Sequence, residues 1–320
     1  MRLASNVYRF TTCYPDFENI PMAGFLLIGS DRTAMVDALI PQAIEKDLEP
    51  FLSTLARELG SVDTIVATHG HPDHVGGLAK LKAANPDLGV LCSPAELRWV
   101  ESQEAMWQDL FLKYQELALD EEVHEYIVGT LGGSPTAATA TVQPGDMIDL
   151  GGLEMIVIDA SGHSPGHIAL FEQRNGLLFT GDSVQGAGIG HVNANVALPP
   201  LYEDHDAYIS SLERMLDIDP VGVLSAHHEP QFGDGAKGFL RESIATAKQI
   251  KGLVATSLGR TDSPTSLARI ARELRAAMDE LHAIEFRGEL QFLSATEASL
   301  RSMAKEGSAI EDDDHNWNAT

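Results

Sequence analysis

A chain of 320 residues with an ordinary apolar fraction has room for one large domain, or for a large one and a small one. Its formal net charge of −25 disfavours nucleic acid and anionic membranes as partners, and no apolar run approaches the length that spans a bilayer. The only cysteines, Cys13 and Cys92, can form at most one bridge, which a chain of this size does not need, so both read as reduced packing residues. The first residues lack an apolar signal core, which makes the cytoplasm the expected location. The charge is unevenly spread. Residues 1–236 carry 11 basic and 34 acidic side chains, residues 237–306 carry 11 and 9, and residues 307–320 carry 0 and 4. That shift marks a candidate boundary near 236.

Residues 6–12, 24–29 and 33–38 read as short strands, and 41–59 as an amphipathic helix ending near Gly60. The apolar run Thr64-Ile65-Val66-Ala67 reads as a buried strand. It leads into Thr68-His69-Gly70-His71-Pro72-Asp73-His74-Val75-Gly76-Gly77, a turn that opens a helix over 75–84. Three histidines and a carboxylate within six residues could be a polar surface turn. Imidazole and carboxylate are also the usual ligands of a borderline cation such as Zn²⁺, and a strand-to-helix turn fans such side chains together. The metal reading is the stronger.

After a strand at 90–92, residues 94–131 are helix-rich and carry Trp99, Trp107, Phe111, Tyr114 and Tyr126. Packing onto the body accounts for most of these aromatics. Trp107, Phe111 and Tyr114 are spaced to share one helix face, from which one or two are expected to reach a pocket. A loop over 131–141 precedes strands at 141–143, 147–149, 154–158, 168–172 and 177–180. Two turns stand out among them, Gly162-His163-Ser164-Pro165-Gly166-His167 and Gly181-Asp182-Ser183. A Gly-rich loop over 184–200 and a helix over 205–217 come next. Strand 221–224 then runs into Ser225-Ala226-His227-His228-Glu229-Pro230. Beyond Gly238 the pattern becomes helical at 239–257, 264–282 and 295–305, with 287–292 as a strand or small wing and 311–320 as a frayed tail.

His69-x-His71-x-Asp73-His74 resembles the signature of the metallo-β-lactamase superfamily, and the three later turns resemble its subsequent motifs in the same order. The resemblance implies an α/β (α+β) fold, an αββα sandwich with a small helical C-terminal module. On that reading, 1–236 is the catalytic domain with 94–131 as a helical cap. Residues 237–310 form a helical, loosely winged-helix-like module, for which packing or dimerisation is the simpler role. The resemblance further implies His69, His71 and His163 as ligands of one metal, Asp73, His74 and His227 as ligands of a second, and Asp182 as the bridge. Family members usually show Gly-His-Gly where Ala226-His227-His228 stands, so His228 remains the alternative to His227. His167 is expected to hydrogen-bond, and a supporting role for Asp37 stays open because Ala38 and Leu39 replace the Thr-Gly that commonly comes after it.

Such a ligand set implies two Zn²⁺ per chain, with Fe or Mn as alternatives. A metal-bridging hydroxide would attack a small ester-like substrate, a lactone or thioester, while Asp73 orients it and accepts a proton. Asp182 stands where some true β-lactamases show Cys, which argues against that subclass. A mononuclear iron dioxygenase of the same fold shares most ligands, whereas a diiron electron-transfer protein typically has Glu in place of His71. A metal-dependent ribonuclease fits the ligands but not the acidic body. A glyoxalase II role is less attractive, since no basic cluster ends the catalytic domain to hold glutathione carboxylates. The expected partner is a small-molecule substrate, with no nucleic acid and no membrane, and a homodimer is allowed. The stripe Arg269, Arg272 and Arg275 is interrupted by acids and is expected to pair with carboxylates of the body or of a second subunit.

Overall fold

A computed structural model describes residues 1–15, 20–190, 196–260, 263–282 and 285–320, apart from the side chains of Val196 and Phe286. Residues 191–195 of the expected Gly-rich loop lie outside the described residues. On either side of them, Ile189–Gly190 and Val196–Leu198 pair as short antiparallel strands.

The strands gather into two main sheets. The first runs in chain order through Arg2–Ala4, Val7–Cys13, Pro21–Ile28, Thr33–Val36, Thr64–Val66, Gly89–Cys92 and Ala140–Thr141. It is antiparallel up to Thr33–Val36 and parallel beyond. The second is ordered Gln231–Phe232, Gly222–Ser225, Leu177–Gly181, Ile168–Glu172, Glu154–Asp159 and Met147–Asp149. Alternation along each strand decides which layer a side chain joins. Ala23, Phe25 and Leu27 face the second sheet and meet Met155, Val157, Leu170 and Phe179 in one core, where the Phe25 and Phe179 rings sit edge-on at 5.3 Å. Met22, Leu26, Met35 and Ile65 face the other way, against Ile44, Leu48, Leu78 and Leu81 of the first helical layer. Ala169 and Leu178 leave the second sheet on its outer side and pack with Tyr208, Leu212 and Leu240. Helix, sheet, sheet and helix thus stack as an αββα sandwich.

The expected helix over 205–217 is His205–Ile218. Asp204 starts it by accepting from the Asp206 and Ala207 N–H groups, and left-handed Asp219 ends it. The 25-residue helix Asp234–Leu258 begins before the charge shift at 236. Together with Leu267–His282 and Glu289–Lys305 it shares the outer core of the second sheet. Three expectations need correction here. The segment 287–292 is not a wing: left-handed Gly288 starts Glu289–Lys305, and Glu285–Phe286 pairs parallel with Val196–Leu198. The C-terminal tail is not frayed. Asn316–Ala319 pairs with Ala309–Glu311 and Thr265–Ser266, because the buried Trp317 anchors it in the core. The arginine stripe finds partners within its own helix: Arg269 pairs with Glu273 at 3.1 Å, Arg275 with Asp279 at 4.0 Å, and Arg272 donates to the Ala268 carbonyl at 3.3 Å. Among the described residues no helix is long and apolar enough to cross a membrane.

Candidate metal centre

The four motif turns leave the two sheets at one edge, where hydrogen bonds tie the layers together. Ile168 N–H donates to the Thr68 carbonyl at 2.9 Å and Ala23 N–H to that of Ala226 at 2.7 Å. Thr68 ends the strand run, and Pro72, with its ring-fixed φ, begins the short helix Pro72–Val75. His69 and His71 therefore leave an extended turn, and Asp73 and His74 the first turn of a helix. All four point to one place.

Donor atoms of His69, His71 and His163 lie within 4.8 Å of one another, as do those of His69, His74 and Asp182, and of Asp73, His74 and His227. Asp182 faces both sides of the cluster, with Oδ2 at 3.9 Å from His163 Nε2 and 3.3 Å from His227 Nε2, and Oδ1 at 3.5 Å from His74 Nε2. Asp73 Oδ2 lies 3.3 Å from His227 Nε2 and 3.5 Å from His74 Nε2. His228 turns away and packs its ring on Phe239 at 4.8 Å, so of the two adjacent histidines His227 joins the cluster. His167 accepts from the Asp182 N–H at 3.2 Å and stacks on His69 at 4.6 Å. That geometry suits the hydrogen-bonding part expected of it.

The ring nitrogens that face away from the cluster are held. Nδ1 of His163 is bonded to the Leu201 carbonyl, that of His227 to the Pro21 carbonyl, and that of His74 to Asp37 Oδ2, each at 2.8 Å. Nδ1 of His69 meets Thr68 Oγ1 at 3.0 Å. Such outward bonds fix ring orientation and tautomer for a metal-binding histidine. Facing inward, Nε2 of His69 and His74 and Oδ1 of Asp182 are buried with no hydrogen-bond partner, while Nδ1 of His71 meets Nε2 of His163 at 3.1 Å. Buried donors and acceptors are rarely left so, and a cation among them is the partner that this donor set fits.

Electrostatics point the same way. Burial and neighbouring imidazoles hold His69 well below the usual histidine range, and burial and His163 bring His71 down to about 3, which keeps both rings neutral. Burial also opposes charge on His74 and His227, but the carboxylates outweigh it. Asp73, Asp37 and Asp182 lift His74, and Asp182 with Asp73 lifts His227 to about 10. Burial would raise Asp73 and Asp182, yet these two rings hold both carboxyls well below the usual range. The centre thus concentrates anionic charge and neutral imidazole where a divalent cation would replace protons.

Some supporting residues go beyond the motifs. Asp37, whose role the sequence leaves open, accepts from Thr68 N–H at 2.7 Å and Thr68 Oγ1 at 3.0 Å besides holding His74. Its own φ of 63° bends the chain so that the carboxylate reaches back under the turn. Glu96 belongs to none of the sequence motifs. Fully buried, it accepts from Gly70 N–H at 2.9 Å and from Ser164 Oγ and Gly166 N–H at 2.7 Å each, clamping the first histidine turn to the second. Nothing distinguishes this glutamate in the sequence. Tyr14 donates to Asp73 Oδ2 at 2.5 Å and stacks on His227 at 6.3 Å. Gly181 has a φ of 48°, and a Cβ there would meet Thr68 Oγ1 at 2.5 Å, which explains the glycine before Asp182. Of the aromatic stripe only Phe111 lines the cavity above the cluster. The helical turns end at Phe111, so Tyr114 leaves the shared face and donates to Glu297 at 2.8 Å, while Trp107 stacks under Phe111 at 4.7 Å.

Comparison with known proteins agrees with this architecture. The family model of the metallo-β-lactamase superfamily matches residues 23–227. A β-lactamase-like protein 2 homolog from Drosophila melanogaster is 25% identical over 226 residues, 71% of this chain and 65% of that protein. A hydroxyacylglutathione hydrolase from Haemophilus ducreyi is 28% identical over 182 residues, 57% of each chain. The match thus spans less than two thirds of either relative. The crystal structure of a metallo-β-lactamase family protein from Thermus thermophilus superposes with a TM-score of 0.77 at 20% identity, covering 99% of this chain and 100% of that one. That likeness extends the shared fold through the C-terminal helices.

Proposed function

This chain belongs to the metallo-β-lactamase superfamily of hydrolases, and from that premise we propose that it cleaves a small ester-like substrate, a lactone or thioester, with two divalent cations, zinc by donor type. The observation that carries the reading is the convergence of buried histidine and carboxylate donor atoms in overlapping three-residue groups, with Asp182 facing both sides of the cluster. His69, His71 and His163 would hold one cation, Asp73, His74 and His227 the other, and Asp182 faces both. When bound, the cations supply Lewis acidity that brings water near neutral ionisation and polarises a carbonyl. Asp73 lines the cavity floor, where it orients the attacking water and takes up its proton at a carboxylate oxygen. Tyr14, already donating to that carboxylate, keeps it aimed at the cavity. No serine or cysteine nucleophile is required. The name of the Haemophilus relative, which describes cleavage of an acyl group from glutathione, supports an acyl substrate.

The experiment is a screen of purified, metal-analysed protein against lactones, thioesters, β-lactams and phosphodiesters. Turnover of the ester-like panels is expected. Turnover confined to β-lactams or phosphodiesters overturns the reading.

A further inference from the structure

We propose that the cavity over the cluster is an acyl pocket for an uncharged, apolar group of about six carbons, so that the substrate is a neutral medium-chain or aryl-acyl ester, thioester or lactone. This deepens the hydrolase reading above and rests on it. The cavity measures about 160 Å³. An apolar cavity of roughly 150 Å³ accepts a benzene ring, and since this volume includes the space directly over the cluster, it sets an upper limit on the acyl group.

Its chemistry comes from its walls. Met106, Leu110 and Phe111 come from the helical turns Gln103–Phe111 of the insertion, and Ile127 and Leu131 from its last helical turns, Glu121–Leu131. Leu290, at the start of Glu289–Lys305, closes the cavity from the C-terminal region. Leu198, Pro199 and Leu201 complete it from the loop that also holds His163. Among the described residues the polar lining outside the cluster is sparse. Tyr14 donates to Asp73, Gln185 accepts from the Leu201 N–H at 2.9 Å, and Gln291 adds one neutral amide.

No lysine or arginine is available to this wall. All 22 Lys and Arg residues fall within the described residues, and none lines the cavity. Among the described residues a carboxylate on the acyl chain would be desolvated against leucine and isoleucine with no charged partner in the wall. An alkyl or aryl chain would gain roughly 0.8 kcal/mol for each methylene buried.

The test uses the metal-loaded protein and a series of neutral p-nitrophenyl esters and matched thioesters of increasing acyl length. kcat/KM should rise roughly fourfold per methylene up to about six carbons and then level or fall. An ω-carboxylated chain of the same length should react at least about 100-fold more slowly. Leu110→Trp, and independently Leu290→Phe, should move the optimum to shorter chains while leaving metal content intact. Binding of methyl hexyl ketone, which cannot be hydrolysed, and of its ω-carboxylated counterpart is measured in parallel. If no ester is cleaved but the neutral ketone binds, rejects the extra carboxylate and is lost in both variants, the hydrolase reading fails and the pocket stands. Ester cleavage that ignores chain length, or a preference for the carboxylated chain, overturns the pocket and leaves hydrolysis in place.

Discussion

The floor and the wall of the cavity are built by opposite means. In the floor, each candidate ligand leaves a tight turn at a sheet edge, and the turns are pinned by backbone geometry and hydrogen bonds. Pro72 starts the turn's helix, Gly181 makes room, and Asp37 and Glu96 receive the turn N–H groups. In the wall, Leu110, Ile127 and Leu290 meet through the apolar packing of separate helical segments. The proposed chemistry thus rests on turns tied by hydrogen bonds, and the proposed selectivity on the packing of apolar side chains. Substitutions should separate the two.

The largest effect belongs to the floor. Asp73→Ala removes a carboxylate that faces His74 and His227 and is proposed to handle the proton, so kcat should fall roughly 10²–10⁴-fold or more. Steady-state kinetics beside metal analysis checks it, and near-normal kcat with full metal would move Asp73 out of the chemistry. Next comes the histidine pair: His227→Ala should lose one metal and most activity, while His228→Ala, whose ring rests on Phe239, should lose neither. The reverse pattern shifts the ligand by one residue.

Support under the floor is a smaller matter of stability. Glu96→Gln sets an N–H₂ against at least one of three buried donors, at about 1–3 kcal/mol for each one orphaned. Denaturant unfolding of the metal-loaded protein measures it, and unchanged stability contradicts the clamp. The smallest effect comes from behind the wall, at Glu203. Burial pushes this carboxyl up to about 7, with Glu96 and Glu297 adding to the rise and the Lys113 ammonium opposing it. A pKa raised on folding favours the protonated folded form. Its stabilisation is full below the ordinary value of 4.5 and is lost as pH rises through about 7, by at most about 3 kcal/mol. Glu203→Gln should flatten that part of the stability–pH curve. An identical slope in both proteins would place the charged form comfortably in the fold.

The same contrast explains what the sequence discloses. His69 to His74, His163, Asp182 and His227 sit in turns directly after apolar strands, so their type and spacing survive as readable motifs and the structure brings them together. Asp37 was legible as a residue but not as a partner of His74, because its reach depends on a left-handed backbone that no neighbouring glycine signals. Glu96 was invisible, a single acid in a helix-rich stretch whose contacts are all to other turns. The wall was legible only as aromatic spacing, and that failed at Tyr114 when the helical turns ended. Leu290 was hidden in a segment read as a wing, and Trp317 was the one cue that the acidic tail is anchored.

The centre is tested most directly by its metal stoichiometry. Elemental analysis of protein purified from metal-replete cells should find about two transition-metal ions per chain, chiefly zinc, falling to about one in His227→Ala. One iron and no zinc per chain would contradict the binuclear hydrolase and favour a mononuclear iron dioxygenase on the same fold.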